Sequence, residues 1–139
     1  MDDLLLSGTF DHTLDAKGRV TLPARYREHF QRGVVLVRLP DGERCISAYH
    51  PATWARFDAK YIEPLNVFGS KTDAWLSRAI YMNQDAVEPD GQGRVLLSAR
   101  HIKEVGLSGK VTIIGARDHL EIWDPDTFAS RQQEMSPDA

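Results

Sequence analysis

"DAKGRVTLPARYR" spans residues 15–27, and "DGQGRVLLSARHI" spans residues 90–102. At an offset of 75 the two stretches share an aspartate (Asp15, Asp90), a glycine (Gly18, Gly93) and an arginine (Arg19, Arg94). Val20, Leu22, Ala24 and Arg25 then match Val95, Leu97, Ala99 and Arg100. The likeness continues in the same order. "VVLV" at 34–37 is answered by "VTII" at 111–114, and "YHPATWA" at 49–55 by "WDPDTFA" at 123–129. Three matching blocks in one order mark two copies of a single supersecondary unit.

Both copies read alike. "GTFDHTLD" alternates, with Phe10, His12 and Leu14 on one side, and predicts a strand. "AKG" makes a tight turn in which Gly18 supplies a positive φ. "RVTLP" is a second strand closed by Pro23, and "ARYREHF" predicts a short helix. "VVLVRLP" and "CISAYHP" are strands joined at Asp41–Gly42. "PATWARFDAKYI" predicts a helix with Trp54, Phe57 and Tyr61 on one apolar face. Between the copies, "SKTDAWLSRAIYMN" predicts a capped connector helix with the stripe Trp75, Leu76, Ala79 and Ile80. The expected division is a first repeat over 7–53, a helical connector over 54–81, a second repeat over 82–126, and a C-terminal helix and tail over 127–139. Four short strands and one short helix bury little apolar area, so the halves must pack on each other. The strand edges left over invite further copies and predict an oligomer.

The chain has 139 residues, 42% of them hydrophobic and 27% charged, as in an ordinary globular protein. No apolar run approaches the ~20 residues that cross a bilayer. The start, "MDDLLLSG", is acidic where a signal peptide is basic, so a cytoplasmic location and no membrane partner are expected. Cys45 is the single cysteine, which excludes an internal disulfide, and within "CISAY" it reads as a small buried hydrophobe. His12, His29, His50, His101 and His119 lack metal-site spacing. His12 beside Asp11 and His119 beside Asp118 read as strand neighbours that point to opposite faces. With no nucleophile elbow, P-loop or dinucleotide loop, the expectation is a protein that is not an enzyme and takes no cofactor or metal.

The net charge of −3 conceals a basic segment. Residues 15–44 hold seven lysines and arginines against four acidic residues. Such a face attracts phosphates over about one Debye length, roughly 8–10 Å. In Asp-x-x-Gly-Arg the carboxylate and guanidinium meet across a hairpin turn and fix the loop. Two uses are open from the residues alone. One is a register pin, worth about 0–1 kcal/mol if exposed. The other is a rigid loop that offers guanidinium donors to phosphate or to guanine edges.

"GTFDHTLDAKGRVTLPARYRE", "DGQGRVLLSARHIKEVGL" and "LEIWD" together resemble the MraZ family of bacterial transcriptional regulators, from about Gly8 to Phe128. The resemblance implies an α+β, mainly β fold: two tandem swapped-hairpin repeats of the SpoVT/AbrB type forming a pseudo-symmetric barrel with short helices. It implies a homo-oligomeric ring, associated with the nucleoid. The implied partner is double-stranded DNA, at short direct repeats in the promoter of the division and cell-wall gene cluster, its own gene included. The family's DNA-contacting motif falls on Asp15, Lys17, Gly18 and Arg19, and on Asp90, Gly93 and Arg94. Two departures stand out. Ser7 replaces the arginine of the family's usual Phe-Arg-Gly start, and Gln92 stands where the first copy has Lys17. The second loop is therefore expected to be less basic, and its half to serve assembly more than DNA. The alternative reading is a ring-forming interaction module without specific DNA binding, its arginines serving subunit contacts.

Overall fold

The computed structural model describes residues 4–136. Its elements, in order, are β1 (Thr9–Thr13), β2 (Arg19–Thr21), β3 (Val34–Val37), β4 (Cys45–Tyr49), α1 (Pro51–Phe57), α2 (Lys71–Tyr81), β5 (Gln84–Val87), β6 (Arg94–Leu96), α3 (Ala99–Val105), β7 (Lys110–Gly115), β8 (Leu120–Trp123) and α4 (Pro125–Met135). The class is α+β and mainly β, as expected.

The two copies exchange strands. The main sheet is antiparallel and runs β1-β7-β8-β4-β3-β5, so the first strand of each copy pairs with the third strand of the other. The second strands, β2 and β6, pair separately as a two-stranded ribbon. The register has a pseudo-twofold axis. In the ribbon, Val20 opposes Val95, its own repeat equivalent, and Arg19↔Leu96 mirrors Thr21↔Arg94. At the sheet centre Ser47 opposes Glu121, with Ile46↔Ile122 and Ala48↔Leu120 on either side. Hydrogen bonding does not join these ladders into one closed barrel. The sheet ends on β1 and β5, and the bridge Leu14↔Val20 is the link towards the ribbon among the described residues.

One core lies between ribbon and sheet. Val20, Leu22, Val95 and Leu97 pack with Leu36, Ile46, Ile113 and Ile122. Strand alternation sends Val35 and Val37 to the other face, where Tyr49, Trp54, Ile62 and Ile80 cover them. Cys45 is buried, and burial pushes its thiol pKa up, so the small-hydrophobe reading holds.

Three local expectations need correction. "ARYREHF" forms only a 3-10 turn, Ala24–Tyr26, followed by turns. In the second copy Ser98 Oγ accepts from His101 N–H and caps a true helix, α3, whereas Pro23 in the first copy provides no side-chain cap. Tyr61 is exposed because the helix widens to a π-turn over Asp58–Ile62, which brings Ile62 inward in its place. The capped connector helix forms as expected, as α2 behind Ser70, and of its stripe only Ile80 is buried, while Trp75 is 66% exposed and Leu76 lies at the surface. His119 and Asp118 do not point apart. They sit in the β7–β8 turn after Arg117, which has φ +77°, and this turn frees both side chains from strand alternation.

His119 illustrates the cost of burying a charge and its remedy. Nδ1 lies 2.7 Å from Asp118 and Nε2 3.0 Å from Glu121, while the ring stacks on Tyr49. Burial favours the neutral ring, but hydrogen bonds to Glu121 and Asp118 outweigh it and raise the pKa. The stabilisation is therefore complete below the unfolded value near 6.5 and is lost as pH rises through the raised folded value. Burial opposes ionisation of Glu121, yet its bond to His119 holds it low, so it withdraws its own share only in acid. Thermal melts of the parent and His119→Gln should thus differ most near pH 6 and converge on the alkaline side. A gap that widens with pH contradicts the paired-imidazolium account.

Candidate functional site

The repeated Asp-x-x-Gly-Arg segments form two loops of the same geometry, one entering β2 and one entering β6. In the first, Asp15 N–H donates to Arg19 O and Gly18 N–H to Asp15 O, closing the turn. Asp15 Oδ1 accepts the backbone N–H groups of Lys17 and Arg19, and Oδ2 accepts Arg19 Nε–H at 2.7 Å. The second loop repeats each bond with Asp90, Gln92, Gly93 and Arg94, again at 2.7 Å from Nε. The glycines are needed because φ is +84° at Gly18 and +77° at Gly93. These bonds, the Arg backbone N–H foremost, hold the Asp15 carboxyl below its usual range and bring Asp90 down to about 2. Both clamps stay ionised from mild acid upward. Each grips the guanidinium by Nε and leaves the Nη amino groups for another partner.

The strands set the direction. Val20 and Val95 point inward and are fully buried, so Arg19, Thr21, Arg94 and Leu96 share the outer face of the ribbon. Arg19 and Arg94 therefore lie on one diagonal, with side chains about equally exposed at 27% and 29%. All seven residues singled out from the sequence come together on this ribbon and its two loops. The motif alone misses Thr21 and Leu96, although period-2 alternation around Val20 and Val95 marks both as outward-facing.

The deficit expected at Gln92 is offset by a residue from the other copy. The side chain of Arg27 lies against Gly93, where an added Cβ would come 2.7 Å from Arg27 Cδ, and its Nε–H donates to Leu22 O. The repeat-equivalent residue, Ile102, packs in the same way against Gly18. Each loop thus has its clamped arginine and one further cation: Lys17 on the first, Arg27 beside the second. The basic segment is otherwise split by the fold. Arg38 and Arg44 turn to Glu104 on α3 and leave the ribbon face. Arg25 lies over the rings of Phe10 and Tyr26, and Tyr26 Oη clamps the backbone of Ser7.

Among the described residues no group of three or more His, Cys, Asp or Glu side chains is placed to hold a metal, and no helix is long and apolar enough to cross a membrane.

A sequence model of the family described as "MraZ protein, putative antitoxin-like" matches residues 5–72 and 80–138. "Transcriptional regulator MraZ" of Paraburkholderia phytofirmans is 35% identical to the chain, covering 97% of it and 96% of the relative. The proteins of the same name from Corynebacterium diphtheriae and Thermomicrobium roseum are 35% and 32% identical, each covering 91% of the chain and 86% of the relative. The strand exchange, the doubled clamp and these matches over both copies agree, and the chain belongs to the MraZ family.

Proposed function

We propose that this protein is a sequence-specific DNA-binding transcriptional regulator. It acts as a homo-oligomeric ring on short direct repeats in the promoter of the division and cell-wall gene cluster, including its own gene. One observation carries the reading: a two-stranded ribbon with both clamped arginines, Arg19 and Arg94, on its outer face. A two-stranded β-ribbon fits the major groove of B-DNA, and arginine is the commonest reader of guanine O6 and N7 there. Clamping by Asp15 and Asp90 fixes each guanidinium plane before contact, so less rotamer entropy is lost on binding. Lys17 and Arg27 suit phosphates on either side and position the ribbon without reading sequence. The names of the relatives agree with this role.

The test is binding to the DNA just upstream of the protein's own gene, against scrambled DNA of the same length. Affinity should fall steeply with salt, because each neutralised phosphate contributes about −0.9 to the slope of log K against log salt. Several subunits presenting Lys17 and Arg27 together should give a slope of several units despite the net charge of −3. Chelator should leave binding unchanged. A flat salt response, or equal affinity for scrambled DNA, overturns the reading.

The exposed aromatic stretch around α2 favours a ring, and is also what the interaction-module alternative requires. A ring that forms normally and ignores promoter DNA would select that alternative.

A further inference from the structure

The outer face of the ribbon is not symmetric where symmetry is expected. Thr21 and Leu96 are repeat equivalents and hold mirror-related places beside Arg94 and Arg19. Thr21 is half-buried, but Leu96 is 56% exposed, an apolar side chain in the middle of a polar face. Leu96 lies directly across the ribbon from Arg19, and directly opposed residues have Cβ atoms about 4.5–5.5 Å apart. Its Cδ1 lies 3.9 Å from where a Cβ on Gly18 would stand, so it leans towards the Lys17-bearing loop. The core has no use for it, since Val95 fills the inward position and is fully buried.

We propose that Leu96 is a specificity-determining residue: it meets the C5-methyl group of a thymine next to the base read by Arg19. The proposal rests on the DNA-binding reading above and deepens it. Only thymine carries a methyl group in the major groove of unmodified DNA, and apolar side chains are its natural partners. A guanidinium and a leucine side by side on one ribbon therefore recognise a two-base feature: guanine by hydrogen bonds, and an adjacent thymine by apolar contact. Thr21 offers a smaller, mixed group at the mirror position, so the two ends of the ribbon prefer different neighbours. The ribbon accordingly has one orientation on its site, which suits direct repeats rather than palindromes.

The test uses the full-length protein and promoter DNA in which single thymines are replaced by deoxyuridine, which removes only the methyl group. For the parent protein, one replacement per repeat should weaken binding by about fourfold per engaged subunit, the worth of one buried methyl-sized group. Leu96→Thr should bind the unmodified DNA more weakly and lose most of the sensitivity to that replacement, because its single methyl group is shorter and less apolar, with salt slope and oligomer size unchanged. Parent protein that discriminates promoter from scrambled DNA yet tolerates every deoxyuridine overturns the inference and leaves the DNA reading standing. So does a Leu96→Thr variant that keeps the parent's sensitivity, or one whose oligomer falls apart, which would make Leu96 a subunit contact. If the parent fails to discriminate promoter from scrambled DNA at all, the DNA reading fails first.

Discussion

Arg19→Ala is expected to lower affinity for promoter DNA by about tenfold or more while leaving the fold and the oligomer intact. A bidentate arginine–guanine pair is worth about 1–3 kcal/mol of discrimination, and every ~1.4 kcal/mol is tenfold. Subunits joined in one assembly multiply such losses, because each further contact on the same DNA is intramolecular. The stability cost should be small, since the Asp15–Arg19 pair is partly exposed and surface pairs contribute little. Arg94→Ala should also weaken binding, by a smaller factor. Its clamp matches that of Arg19, and Arg27 supplies the charge that Gln92 lacks. Lys17→Ala should weaken promoter and scrambled DNA alike and reduce the salt slope by about one per engaged subunit. The measurement is affinity for both DNAs, with oligomer size checked for each variant. An Arg19→Ala protein that keeps its oligomer and binds promoter DNA as well as the parent refutes the ribbon as the contact surface. An Arg94→Ala protein of full affinity returns the second loop to assembly.

Trp75→Glu combined with Phe68→Ser should convert the oligomer to single 15.7 kDa chains. Exposed large apolar residues concentrate between Tyr61 and Met82, with Phe68 fully exposed and Trp75 and Tyr81 at the surface. Two large aromatic side chains bury on the order of 300–400 Å² on association. At about 25 cal/mol per Å², that is roughly 8 kcal/mol per subunit before the entropy of association is subtracted. Replacing both removes this contribution, and the carboxylate introduced at position 75, beside Arg78, puts a hydrated charged group where an apolar contact is needed. Light scattering at micromolar concentration reads the outcome, and thermal melting shows whether the chain still folds. Ile80 supplies the packing that α2 needs and is untouched. A variant that stays oligomeric, or a parent that is already monomeric, rejects this surface as the seam. Loss of the ring should also flatten the salt dependence of DNA binding, since a lone ribbon meets few phosphates.

The parts legible in the sequence are those governed by local chemistry. Asp15 and Arg19, four apart around a glycine, fold back on each other, and the same letters at 90–94 give the same loop. Strand positions follow from alternation and turn residues. The failures lie where distant residues decide. Pro23 in the place of Ser98 changes one helix into a turn, although Ala24 and Arg25 match Ala99 and Arg100. The stripe Trp75–Leu76–Ala79–Ile80 has helical spacing, but spacing does not say whether a face meets the core or another molecule. Arg27 reads in sequence as one member of a basic run, and its place against Gly93 follows from β2 pairing with β6. The resemblance implies an exchange of hairpins, but neither it nor periodicity names these two strands as partners. The His119 contacts depend on a left-handed residue, Arg117, that nothing in its neighbours announces.

The exchanged strands have a consequence during synthesis. When β3 leaves the ribosome its partner on one side, β4, follows within a few residues, but its other partner, β5, is separated by two helices. β1 waits longer still, for β7, which is made only after five further strands and three helices. Until then a nascent chain carries open edges that match those of any other nascent copy, in the register that its own second half will use. Had the two copies been separate polypeptides, closure would be a bimolecular event, rare in dilute solution. Covalent linkage raises the local concentration of the second copy to the millimolar range. The duplication thereby turns a dimerisation equilibrium into a first-order folding step that is indifferent to expression level, and frees association for the assembly of whole chains.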